Sequence, residues 1–570
     1  MNISKPERHF IAKDLTIDSW ESIEKYYNDL LERPIDTLAD FKQWLSDQSE
    51  LDAVLEENAA WRYIKMTIDT TDEDLNKSYM FFVTEIQPKM APLEDKLNQK
   101  LASSPFAKEL EGQSDYFIMF RKVRKALELY REENVKIISE IAEESQKFGA
   151  LSAAQSIEHD GETLTMQKAA LFLKETDESV RKEIFEKIAA RRREDFEKFN
   201  DLIDSLIKKR HQVAVNAGFE NFRDYKMEAM GRFDYSVSDC EDFHTSVKKV
   251  IVPIVKSIKQ KKLDLLGKDK FKPWDLDVDP EGKAPLKPFE TDKELLSGTI
   301  KMFDKVDPYF AECLATMENM EHLDLASKKG KAPGGYNYPL YEIGVPFIFM
   351  NAVGSHRDLV TMVHEGGHAV HSFLSRDLEL TGFKNLPSEV AELASMSMEL
   401  LTMEEWNEFY PNKEDFTRAK REQLETVLIL LPWIAQVDEF QHWLYVNHTH
   451  TRDERTEKWI SLSKEYGTSL VDYSGYEDIQ ATSWQRQLHI FEVPFYYIEY
   501  GIAQLGALGV WMNSLKNKQQ AIHDYKEALK LAYTKSIPEI YSTAGIEFNF
   551  SESHILKLAD FIDEELEKLQ

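Results

Sequence analysis

The stretch TMVHEGGHAVHSF, residues 361–373, sets His364 and His368 four residues apart around Glu365, with His371 close behind. On a helix, positions i and i+4 lie one turn apart on the same face, so two imidazoles so spaced can hold one divalent cation at about 2.1 Å. Glu365 is rotated off that line but still reaches a water beside the cation. Zinc brings the pKa of such a water to about 7, and a neighbouring carboxylate can take its proton as the water attacks a carbonyl. The implied chemistry is metal-assisted hydrolysis. Gly366 and Gly367 sit inside this helix at about 1 kcal/mol each relative to Ala, a cost that points to a close approach to the backbone. His371, two turns beyond His364, is either an alternative ligand or a neutral histidine hydrogen-bonded behind the metal.

A catalytic zinc needs a third protein ligand and an open position. GFKNLPSEVAELASMSMEL, residues 382–400, reads as a chain break at Gly382 to Pro387 followed by a helix capped by Ser388, carrying Glu389, Glu392 and Glu399. Glu392, Ser395 and Glu399 share one face, so that one carboxylate can bind while another orients a histidine. Spacing alone favours Glu392, with Glu389 next.

These side chains need a strand and a helix to position them. Val345 to Asn351, apolar and aromatic between Gly344 and Gly354, reads as a strand. Ser355 and Asp358 form a capping-box pattern, so the motif helix starts at about His356 and runs to about Leu380, with Gly382 as its stop. A free edge on the preceding strand would hold an extended peptide over the metal. Gly334 to Tyr338, GGYNY, reads as a loop closing on substrate.

At 570 residues the chain exceeds one ordinary core, and its Glu-, Lys-, Leu- and Ala-rich segments predict a mostly α protein. Phe41, Trp44, Leu45, Leu51, Leu55 and Ile64 recur at helical intervals in an N-terminal helical lobe, and Thr70 with Glu73 reads as a capping box. Asp160-Gly161 between alternating runs predicts a two-residue hairpin. The stretch from Leu263 to Thr291, rich in Pro, Gly and Asp, reads as a loop and subdomain seam with one strand at Trp274 to Val278.

The net charge of -30, from 71 basic against 101 acidic side chains, disfavours nucleic acid as a partner. Cys240 and Cys313 lack C-x-x-C spacing, so neither a disulfide nor a thiolate zinc site is expected; both read as buried thiols of a reducing compartment. The N-terminus shows no apolar signal region, and no window approaches the roughly 20 apolar residues that span a bilayer. The expectation is a cytoplasmic protein with no membrane partner.

The block HEGGHAVHSF followed by PSEVAELASMSME resembles the thimet oligopeptidase and oligoendopeptidase F family of zinc metallopeptidases. The resemblance implies one zinc ion held by His364, His368 and Glu392, with Glu365 as general base. HIFEVPFYYIEYGIAQLGA, near the C-terminus, is similar to the family's histidine followed by spaced tyrosines, which implies His489, Tyr496 and Tyr500 as donors to the developing oxyanion, with Tyr497 competing for the role. The likeness covers residues 200–570 well and the N-terminal lobe more loosely. It implies a mostly α, multi-helix, two-lobed protein around a deep substrate channel, with a small β-sheet next to the zinc site. The division expected is an N-terminal helical lobe with a hairpin, residues 1–200, and a catalytic lobe, residues 201–570. The function expected is hydrolysis of internal bonds in short unfolded peptides. The alternatives are an exopeptidase on the same site and a non-catalytic zinc-containing peptide-binding protein.

Overall fold

The computed structural model describes residues 1, 3–332 and 334–569 and is mostly helical, with two small sheets. The helices that matter below are α1 (Leu38–Ile68), α2 (Phe196–Asn216), α3 (Val237–Ser246), α4 (Asp292–Val306), α5 (His356–Ser375), α6 (Ser388–Leu401), α7 (Lys413–Val446), α8 (Leu488–Glu492), α9 (Ile498–Lys516) and α10 (Lys518–Lys530). The strands are β1 (Ser156–His159), β2 (Glu162–Thr165), β3 (Leu323–Ala326), β4 (Tyr336–Tyr338) and β5 (Phe347–Ala352). Among the described residues no helix is long and apolar enough to cross a membrane.

The chain forms two compact units, each built from three segments. Unit 1 holds residues 1–128, 287–416 and 506–548; unit 2 holds 129–286, 417–505 and 549–570. The crossing at 286/287 falls within the Pro- and Gly-rich stretch read as a seam, whereas 200/201 falls inside α2.

In unit 1, α1 opens with a capping box between Thr37 and Asp40 and buries all six apolar residues of the helical pattern, Phe41, Trp44, Leu45, Leu51, Leu55 and Ile64. Each such side chain contributes roughly 1.5–3 kcal/mol on leaving water. Trp44 also satisfies its indole by donating to the Leu30 carbonyl at 2.8 Å. The next helix, Glu73–Phe81, takes Asp72 as its N-cap instead of Thr70: the Asp72 carboxylate, two residues closer to the helix start, accepts from the amides of Asp74 and Leu75.

The three-stranded sheet of unit 1 has the order β3-β5-β4. β5, the strand expected before the motif helix, pairs in parallel with β3 and antiparallel with β4, with Tyr336 opposite Phe349 and Tyr338 opposite Phe347. Its main chain is therefore committed on both sides, and a free edge on β5 is not available to a peptide. The GGYNY stretch read as a loop supplies β4, because Tyr336 and Tyr338 gain aromatic partners, Tyr336 stacking on Phe349 with ring centroids 4.9 Å apart.

In unit 2, Asp160 and Gly161 take φ of 50° and 83° between β1 and β2, the left-handed pair that a two-residue hairpin turn requires. The strand expected at Trp274 to Val278 is replaced by a short 3₁₀ turn at Pro273–Asp275. There the buried Asp275 accepts from Arg181 at 2.8 Å and Lys268 at 2.7 Å, and that ionic anchoring overrides the local β preference.

Candidate active site

α5 starts where the sequence places it. Ser355 Oγ accepts from the Asp358 amide at 3.2 Å, and the Asp358 carboxylate accepts from the amides of Ser355 and Val353, both at 2.9 Å, which fixes the corner between β5 and α5. The helix ends at Ser375, short of Leu380, and Gly382 falls within a separate short helix, Thr381–Lys384.

The two mid-helix glycines are explained by what lies against them. A Cβ on Gly367 would fall 2.6 Å from Ser395 Cα and 2.8 Å from the Ala394 carbonyl oxygen of α6, and one on Gly366 would fall 2.7 Å from the Phe303 ring of α4. Glycine therefore lets the α6 backbone sit directly on α5, and this closeness brings a carboxylate to the histidines. Glu392 Oε2 lies 3.3 Å from His364 Nε2 and 3.8 Å from His368 Nε2. The donor atoms of the three residues all lie within 4.8 Å of one another.

The surrounding bonds orient this set. Glu399 Oε1 stands 2.7 Å from His364 Nδ1, so the ring donates there and turns Nε2 toward Glu392. The Ser395 hydroxyl donates to Glu392 Oε2 at 3.1 Å. Thus Glu392 falls within the donor set, and Glu399 bonds His364 from behind it. Glu389 lies outside the donor set, buried, with its carbonyl accepting from the Tyr541 hydroxyl at 3.2 Å.

Electrostatics shows what charge the site requires. Burial pushes the His364 pKa down, but Glu392 and Glu399 outweigh it and hold the imidazole well above its usual range. Burial takes His368 down to about 4 against the opposing pull of Glu392. Burial also raises Glu392, yet the two histidines win and bring it to about 2. Two carboxylates beside two imidazoles thus hold positive charge between them, and the nitrogen and oxygen donors suit a borderline divalent ion such as zinc. Glu365, next to the set and buried, has its pKa pushed up to about 7, chiefly by burial. Asn337 of β4 donates to the Glu365 carbonyl at 3.3 Å, a contact the sequence did not announce because the partners are joined only through the sheet.

His371 lies outside the donor set. It is 1% exposed, and burial pushes its pKa down to about 3 against the opposing effect of the Leu529 main chain. It is a neutral core histidine on the side of α5 turned toward α10.

His489, Tyr496, Tyr497 and Tyr500 group together within unit 2. The His489 ring centroid lies 5.9, 4.7 and 5.8 Å from those of Tyr496, Tyr497 and Tyr500. Tyr497 is buried, whereas Tyr496, Tyr500 and His489 keep partial exposure. The Gln487 amide lies 2.7 Å from His489 Nδ1, which leaves Nε2 to carry the proton. Two buried arginines fix the segment: Arg210 of α2 donates to the carbonyls of Ile490 and Phe491 in α8, and Arg232 donates to the Phe495 carbonyl and to Glu499 of α9 at 2.7 Å.

A helix bearing H-E-x-x-H, pressed against a helix bearing a carboxylate in a mostly helical chain, defines a helical metallopeptidase. Residues 171–559 match Peptidase family M3 and residues 13–130 match the Peptidase M3 N-terminal domain, and the chain belongs to peptidase family M3. An oligoendopeptidase F homolog of Borreliella burgdorferi is 23% identical over 538 residues, 89% of this chain and 87% of that one. Oligopeptidase PepF of Bacillus subtilis is 24% identical over 253 residues, 44% of this chain and 37% of its own. The solved structure of PZ peptidase A with an inhibitor superimposes with a TM-score of 0.90 at 29% identity, covering 98% of this chain and 99% of that one.

Proposed function

We propose that this peptidase is a zinc-dependent endopeptidase cutting internal bonds of short, unfolded oligopeptides. The observation that carries the reading is the set His364, His368 and Glu392, with Glu399 behind the first histidine and the buried Glu365 beside the set. Zinc held by those three residues supplies a Lewis acid for a water and for the scissile carbonyl. Glu365 takes the proton from the attacking water and returns it to the leaving amine. Its burial favours that exchange by raising the basicity of the carboxylate. Glu399 keeps His364 in the tautomer whose Nε2 lone pair can bind.

His489, Tyr496 and Tyr500 serve as donors to the oxyanion in this reading; their partial exposure supports the role, and the burial of Tyr497 favours Tyr496 over it. A peptide that adds to this sheet can do so only at an outer strand, and β4 is an outer strand bonded through Asn337 to the Glu365 main chain. The names of the relatives, oligoendopeptidase F and oligopeptidase, support an internal cut in an oligopeptide. A quenched peptide blocked at both ends, assayed with and without a chelator, tests this. Chelator-sensitive cleavage is expected. Cleavage only after the termini are freed would make the chain an exopeptidase, and binding without cleavage would make it a peptide-binding protein.

A further inference from the structure

Unit 2 holds a second cluster of metal-binding side chains. Cys240 and His244 stand at i and i+4 on α3, in CEDFH, and Asp438 and His442 stand at i and i+4 on α7, in DEFQH. The helices face each other through these residues: His244 Nε2 lies 2.8 Å from Asp438 Oδ2, and the His244 and His442 rings meet edge to face with centroids 5.4 Å apart. The donor atoms of Cys240, Asp438 and His442 all lie within 4.8 Å of one another. Around a tetrahedral ion with bonds of about 2.0–2.3 Å, ligand atoms stand about 3.3–3.7 Å apart, so closing in by about 1 Å brings the three donors onto one ion and leaves its fourth position to a small molecule such as water.

The hydrogen bonding is incomplete in the way an ion would complete it. Asp438 Oδ1 has no hydrogen-bond partner, nor does either ring nitrogen of His442, although Asp438 is fully buried and His442 is 6% exposed. His442 Nε2 approaches Asp438 Oδ2 to 3.2 Å, off the line of a hydrogen bond. An unmatched buried polar atom costs about 1–3 kcal/mol, more when charged, and native interiors rarely leave several together. A hydrogen-bonded His-Asp pair uses one imidazole and one oxygen; it leaves the second imidazole and the second oxygen unexplained.

We propose that Cys240, Asp438 and His442 bind a second zinc-type ion, with His244 holding the Asp438 carboxylate in place. Thiolate, imidazole and carboxylate together suit zinc or cobalt and not calcium or magnesium. Binding releases the thiol proton to solvent, since the thiolate is the ligand. The absent C-x-x-C spacing excludes a finger-type arrangement but not this one, in which each helix supplies a one-turn pair. Complete burial leaves no access for substrate, so the ion ties α3 to α7. Through Gln441, which follows Asp438 and accepts from the Phe495 amide at 2.9 Å, it also steadies the start of the tyrosine segment, where Phe495 is held at φ 71°.

The test is cobalt titration of the metal-free full-length protein. A second equivalent is expected to bind with a thiolate-to-cobalt charge-transfer band in the near ultraviolet, which a His/Glu site cannot produce. The band should vanish in Cys240→Ala, persist in Cys313→Ala, and persist in His364→Ala/Glu392→Ala, which removes the other donor set. A single equivalent without the band in the wild-type protein overturns the proposal, as does a band that follows Cys313. Should Cys240→Ala fail to fold, the wild-type and Cys313→Ala spectra decide. Loss of peptide cleavage with the band intact bears on the proposed reaction and not on this site.

Discussion

Unit 1 and unit 2 use the same device, a one-turn pair of side chains on one helix met by a side chain from another, a carboxylate in unit 1 and a thiol in unit 2, yet the two clusters differ in solvent access. The side chains of His364 and His368 are 20% and 19% exposed, and those of Asp438 and His442 are 0% and 8%. The first leaves room for a water and a carbonyl; the second does not. In the proposed reading, a donor set becomes a reaction centre when one side of it stays open and a carboxylate such as Glu365 stands beside that side. Without an opening, the same donors act as a clasp between helices. The comparison also explains the glycines. α5 accepts α6 at backbone distance through Gly367, whereas α3 and α7 meet through their side chains.

The comparison breaks most visibly at the base. Glu365→Gln should lower kcat on a blocked internal peptide by about 10²–10⁴-fold while both metal equivalents remain, read by turnover and metal analysis. Retained turnover would mean that the open cluster is not where the reaction occurs. Next in size, Glu399→Gln should weaken metal binding in unit 1 by about 10–100-fold, measured by competition with a chelating dye, and leave the thiolate band untouched.

Gly367→Ala should cost about 1–3 kcal/mol of unfolding free energy, because the new methyl group meets backbone atoms of α6 that cannot rotate away. The same substitution should loosen metal in unit 1, since Glu392 moves out with its helix. Denaturant melts of metal-free and zinc-loaded protein measure both effects. The smallest expected difference is kinetic. A chelator should strip the cobalt of unit 2 about tenfold more slowly than that of unit 1, since a ligand set closed between helices is reached only through local opening. Equal rates would remove the distinction between open and closed.

Much of unit 1's cluster was legible because its information is local. His364, Glu365 and His368 sit within one helical turn, and the Ser355–Asp358 capping box announces that helix. Asp160-Gly161 announced its hairpin for the same reason. Elsewhere long-range partners decide. β5 reads as a strand from its own residues, but its central position depends on β3 and β4. Trp274 to Val278 looks extended until Arg181 and Lys268 draw Asp275 into a turn. His371 lies on the motif helix, yet its burial toward α10 keeps it neutral and outside the donor set. The cluster of Cys240, Asp438 and His442 is invisible in the sequence, since each half is an ordinary one-turn pair far from the other.

The sequence by itself determined the mostly helical class, the motif helix with its two imidazoles and the glutamate between them, and the small set of glutamates from which a third ligand could come, because helical periodicity and capping are written within a turn or two of chain. Only the tertiary structure decided that Glu392 lies beside the two histidines while Glu399 bonds the far side of one of them, that β5 is flanked on both sides, and that each unit is assembled from three separated segments. Such choices depend on which helix faces rest against each other, and that is fixed by packing contacts between residues tens to hundreds of positions apart.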